Sequence, residues 1–76
     1  MNLFDLKKGQ KCLIDKILIN GDIRRRLLDL GLIKNTEVKC VEISPLGDPK
    51  AFLIRGAVIA LRSCECKQIL VKDLSI

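Results

Sequence analysis

Arg24-Arg25-Arg26-Leu27-Leu28-Asp29-Leu30-Gly31-Leu32 reads as a compact amphipathic helix closed by a glycine, set between two extended runs. Ile23, Leu27 and Leu30 recur at i, i+4 and i+7, which predicts a stripe facing the core. Arg24 and Arg25 fall off that stripe onto the open face, and Arg25 can pair with Asp29 one turn later. Ahead of the helix, Asn20-Gly21-Asp22 halts the chain and offers Asp22 as the N-cap. Behind it, Gly31 suits the left-handed position just past a helix end, with Leu32 folding back on Leu27 in a Schellman closure.

The flanking runs are strands by composition. Lys11 to Ile19 carries Cys12, Ile14 and Leu18 on one side and Leu13 and Ile17 on the other, as in a small closed barrel. Glu37 to Ile43 alternates Val38 and Cys40 with charged neighbours. Ser44-Pro45-Leu46-Gly47-Asp48-Pro49 holds two prolines and a glycine, so it forms a turn or loop rather than ladder. Ala51 to Arg55 and Ala57 to Leu61, divided by Gly56, form a hairpin. Ser63 caps a short helical turn over Cys64 to Gln68, and Ile69 to Val71 is the last strand. The fold class is therefore mostly β: about five short strands, one inserted α-helix and a short helical turn near the C-terminus. OB-like and SH3-like barrels both fit that order. OB folds need more chain, which favours the SH3-like form.

The 76 residues make one small domain over 1–76, with 49% apolar content and little aromatic content beyond Phe4 and Phe52. Fourteen Lys and Arg against nine Asp and Glu give a net charge of +5, which favours acidic partners. Outside Arg24 to Arg26 the cations are dispersed, so solubility explains them equally well. The N-terminus lacks a signal-peptide pattern, and the longest apolar run, Ala57 to Leu61, is far too short to cross a bilayer. The expected location is the cytoplasm, where Cys12, Cys40, Cys64 and Cys66 stay thiols.

Four strings together resemble the FeoA family (ferrous iron transport protein A). Leu3, Leu6 and Gly9 loosely match its opening, and Arg26-Leu27-Leu28-Asp29-Leu30-Gly31-Leu32 its helix element. Pro45-Leu46-Gly47-Asp48-Pro49 matches its proline loop, and Gly56, Ala60, Leu61, Arg62, Glu65, Ile69 and Val71 its closing segment. The likeness runs from about Leu3 to Val71. It implies an SH3-like, free-standing accessory protein that contacts FeoB, the ferrous iron permease with a cytosolic GTPase domain. It also implies that Cys66 fills a buried position where relatives carry a small residue. The partner-binding candidates are Arg24, Arg25, Arg26, Leu46 and Asp48; Leu27, Leu30, Gly31, Leu32, Pro45, Gly47, Pro49, Leu61 and Arg62 form the structural motif.

The residue inventory weighs against catalysis. Without His, cysteine or serine nucleophiles lack their usual base. No glycine-rich phosphate loop is present. An arginine finger from Arg24, Arg25 or Arg26, acting in trans, is the one catalytic contribution left open. No cofactor is expected. Cys64-Glu65-Cys66 is a weak transition-metal signal without a second pair at knuckle spacing. The alternatives to an interaction module are thus a basic barrel gripping nucleic-acid phosphates and, more weakly, a thiolate metal sensor or carrier. No specific nucleic acid and no membrane insertion are expected, because Trp and Tyr are absent and apolar runs are short.

Overall fold

The computed structural model describes residues 1–74, so the last two residues of the expected 1–76 domain lie outside the description. A 3₁₀ turn over Leu3–Asp5 precedes strand β1 (Lys11–Ile17), helix α1 (Asp22–Asp29) and strand β2 (Glu37–Ile43). Strands β3 (Lys50–Ile54) and β4 (Ala57–Leu61), the short helix α2 (Ser63–Cys66) and strand β5 (Ile69–Asp73) complete the order. The strands form one antiparallel sheet in the order β4-β3-β2-β1-β5, curled around a single core. Phe52, Ile14, Ile54, Val38, Leu32 and Ile69 are fully buried there. Each such side chain stabilises the fold by about 1.5–3 kcal/mol relative to exposure.

Bulges curl this sheet. The β1–β5 register shifts between Ile14 and Lys16, and the β2–β3 register between Cys40 and Glu42. An extra residue bends its strand and raises the local twist. The first bulge also reverses the side-chain phase of β1. Leu18, grouped by strand alternation with the buried Cys12 and Ile14, is 45% exposed, whereas Ile19 is buried, and the strand ends at Ile17 rather than Ile19.

The β3–β4 connection is a two-residue turn, Arg55-Gly56, with φ +48° and +83°, closed by the Ile54–Ala57 pair. Two positive φ values match the right-handed strand twist, as in a type I′ hairpin. Arg55 therefore belongs to the turn, not to the strand expected through it. At its other end β3 begins one residue earlier than expected, at Lys50, which is buried. Its ammonium donates to the Phe4 and Leu6 carbonyls (3.2 Å to Leu6) and lies 4.6 Å from the Phe4 ring centre. Those acceptors satisfy a cation that would otherwise be costly to bury. They also tie the N-terminal 3₁₀ turn, which sequence reasoning did not foresee, to the sheet.

Candidate interaction groove and proline loop

Helix α1 starts one residue earlier than a side-chain cap at Asp22 would allow. Gly21, at φ +83°, is the N-cap and makes no side-chain bond; Asp22 sits in the first turn, where its charge still complements the helix dipole. The C-terminal end follows expectation. The Leu32 amide donates to the Leu27 carbonyl and Gly31 to Leu28, both at 2.9 Å, with Gly31 at φ +90°. This is the Schellman pattern. Thr36 Oγ1 and Arg55 Nε then donate to the Gly31 carbonyl, each at 3.0 Å. The Arg55 side chain lies so close to Gly31 that an added Cβ would stand 2.6 Å from its Cδ.

Only part of the predicted apolar stripe enters the core. Leu27 is buried and Ile23 half-buried, but Leu30 is 41% exposed, a correction to its expected core-facing role. The eight-residue helix ends at Asp29, so Leu30 is its C-cap residue rather than part of the packed stripe. Leu30 instead lines an open groove of about 470 Å³ between α1 and β4, with Ile23, Ile59, Pro49, Arg26 and Arg62 among its walls. Glu65 also borders it, but its Oε1 accepts the Arg62 amide at 2.9 Å and so caps α2. Arg62, not Ser63, is thus the N-cap residue, and α2 stops at Cys66 rather than Gln68.

The arginines divide by role. Arg24 Nη1 donates to the carbonyls of Ile17 (2.9 Å) and Ile19 (3.4 Å), tethering the helix to the end of β1. Arg25 makes no ion pair with Asp29; the one ion pair among the described residues is Lys8–Glu42 at 3.4 Å. Arg25 therefore faces solvent, and Arg26 faces the groove.

The proline loop is closed on itself: Gly47 donates to the Ser44 carbonyl at 2.7 Å and Ser44 to the Pro49 carbonyl at 3.2 Å. Pro45 at the second position and Gly47 at the fourth suit this turn. Leu46 projects from its tip, 94% exposed. Asp48 turns the other way. Its Oδ1 accepts the Ser63 amide at 2.8 Å and its Oδ2 the Ser63 hydroxyl at 3.4 Å, satisfying the open start of α2 from outside that helix. Pro49 reaches the groove wall, while Leu46 does not border it.

The four thiols are separated by burial. Cys12, Cys40 and Cys66 are buried and Cys64 is exposed. Burial pushes the Cys12 and Cys66 thiols up to about 11, the Asp73 carboxylate adding to it for Cys12, and raises Cys40 as well. Cys66 Sγ lies 3.8 Å from the Leu61 carbonyl, a buried filler as the resemblance implied. Two residues apart on a short helix, Cys64 and Cys66 thus point to different surroundings. Among the described residues no group of three or more His, Cys, Asp or Glu side chains is placed to hold a metal ion. No helix among them is long and apolar enough to cross a membrane.

Residues 1–73 match the FeoA domain family. A putative Fe(2+) transport protein A of Campylobacter jejuni is 34% identical over 69 residues, covering 91% of this chain and 93% of that protein. The chain belongs to the FeoA family. An Fe(2+) transport protein A/FeoB fusion protein of Porphyromonas gingivalis is 28% identical over 75 residues, 99% of this chain but only 9% of that polypeptide. The zinc-complexed FeoA of Stenotrophomonas maltophilia, described as a prokaryotic SH3 domain protein, superposes with TM-score 0.82 at 30% identity, covering 95% of this chain and 89% of that one. The fold is thus SH3-like, mostly β, with five antiparallel strands.

Within the FeoA fold, the residues singled out in the sequence include Arg26, Leu27, Leu30, Pro49, Leu61, Arg62 and Glu65 of this groove, but not Ile59. Ile59 lies thirty residues beyond the end of the helix, and nothing in its local string marks it as the facing wall.

Proposed function

We propose that this FeoA-family chain is a non-enzymatic, cytoplasmic accessory protein of ferrous iron uptake, acting by contact with the cytosolic GTPase region of a FeoB-type permease. The observation that carries the reading is the fusion of an FeoA-type segment to an FeoB-type transporter in one Porphyromonas polypeptide. Joining two modules in one chain raises their effective concentration to the millimolar range, which sustains a contact too weak to persist between free partners. The groove between α1 and β4 supports it: apolar walls, an arginine on each side and an unpaired Arg25 beside it suit an acidic partner surface with an apolar centre. Leu46 offers a second apolar contact.

The reading assigns no resident metal. Cys64 supplies one exposed thiol, while its neighbour Cys66 is buried with a raised pKa. Ferrous iron is handled by the permease. The test is ferrous iron uptake in cells whose own copy is replaced by Arg25→Glu with Arg26→Glu. Arg24 is left in place because it tethers the helix to β1. Uptake is expected to fall several-fold while the amide NMR spectrum of the variant keeps its folded dispersion. Unchanged uptake would contradict the groove as the contact surface.

A further inference from the structure

A second groove, of about 450 Å³, lies on the outer face of the sheet and is bordered by Lys11, Lys39 and Arg55. Lys11 and Lys39 stand directly opposite each other across β1 and β2. Like charges so placed are destabilising, and neither lysine has an ion-pair partner among the described residues. Arg55 is held in the left-handed region at φ +48°, a position in such turns that Asn, Asp or Gly ordinarily takes. Its Nε is committed to the Gly31 carbonyl at 3.0 Å, which fixes the guanidinium and leaves both terminal nitrogens without a hydrogen bond among the described residues. Asn35, at φ +71°, is the other non-glycine residue with positive φ among the described residues, and it borders the same groove. Backbone strain of this kind gathers at binding and switch sites.

We propose that this groove binds a phosphate-class dianion. Three cations and the one bordering acid, Glu37, leave a local charge of +2 (3 − 1), which a dianion neutralises. A pinned guanidinium presents a planar fork to phosphate oxygens, and the two lysines add point charges. The groove exceeds inorganic phosphate in size, and exposed Leu53 borders it, which leaves room for an organic group beside the phosphate. A soluble nucleotide and an anionic lipid headgroup share that chemistry.

The test is an amide NMR titration of the full chain, at low salt, with inorganic phosphate, with ADP, and with vesicles of phosphatidylcholine with and without phosphatidic acid. Saturable shifts centred on Lys11, Lys39, Arg55 and Gly56, weakened by added salt, are expected. A response to phosphate and ADP assigns a soluble ligand; a response only to phosphatidic acid vesicles assigns a lipid headgroup. Lys39→Gln is expected to lower affinity about tenfold and, by removing the like-charge pair, to raise Tm by about 1–5 °C. Binding and stability moving in opposite directions separates a ligand site from a structural one. Lys11→Gln is the second variant, should the first fail to fold. Arg25→Glu with Arg26→Glu should leave the shifts centred on the same residues, weakening them only through the lower net charge and less so as salt is added, so its outcome stands apart from that of the permease contact. No response to any probe, shifts spread evenly over the cationic surface, or equal affinity in the lysine variants would overturn the proposal.

Discussion

Gly31 does two things no other residue can do in its place. It closes α1 at φ +90°, and it leaves room for Arg55 to lie across the helix end. Gly31→Val is expected to cost at least about 2 kcal/mol, from left-handed strain and the displaced Arg55 bond, lowering Tm by roughly 10 °C or more. Thermal unfolding by circular dichroism checks this. Part of the cost should vanish in an Arg55→Ala background, since the clash is with that side chain; strict additivity would mean that strain alone is responsible. The glycine was legible in the sequence from its place after Leu30; its neighbour Arg55 was not, because the contact spans 24 residues. The cysteines make a second prediction at this scale. A thiol whose folded pKa of about 11 exceeds its ordinary value of 9.0 holds its proton longer in the folded state. Cys12 and Cys66 thus favour folding fully below about pH 9, and that stability falls as pH rises from about 9 through about 11. Urea midpoints should be flat from pH 7 to 8.5 and fall above 9; a rise would contradict the burial account. At pH 8 only Cys64 should react quickly with iodoacetamide, as mass spectrometry would show.

At the scale of elements, α2 is too short to persist without help, and the help comes from the proline loop. Asp48 caps it through Ser63, so Asp48→Ala should destabilise the protein by about 0.5–2 kcal/mol. A loss of partner binding with unchanged stability would instead return Asp48 to the contact surface where sequence reasoning placed it. Strand β2 was legible to the residue because buried Val38 and Cys40 alternate with the less buried Glu37, Lys39 and Val41. Strand β1 was not. The bulge at Asp15 carries no Gly or Pro to announce it, and a strict period of two continued past it puts Leu18 inside. The α1 start missed by one position, since a glycine with positive φ took the place that a side-chain cap would have filled. Leu30 illustrates a different failure. Helical period shows which residues share a face, but not how far a sheet extends to cover that face.

For the whole molecule, part of the charge of +5 is gathered at two grooves that ask different things of a partner. The groove between α1 and β4 pairs arginine with apolar wall, and the outer groove gathers three cations around a pinned guanidinium. Composition alone could not tell these apart from a uniformly solvated surface; burial and pairing do. Family membership was legible because the helix, loop and closing strings each lie in an unbroken local stretch, whereas both grooves are assembled from distant segments. The contact with a permease should weaken as ionic strength rises, because its flanking charges are exposed. The most direct test of the central claim is an amide NMR titration of this protein with the cytosolic region of the FeoB-type permease from the same source. Binding as weak as about 1 mM, near −4 kcal/mol, remains observable this way. The account predicts shifts concentrated on Arg25, Arg26, Leu30, Ile59 and Arg62, extending to Leu46, and lost in Arg25→Glu with Arg26→Glu. No shifts, or shifts confined to surfaces away from α1 and β4, would contradict it.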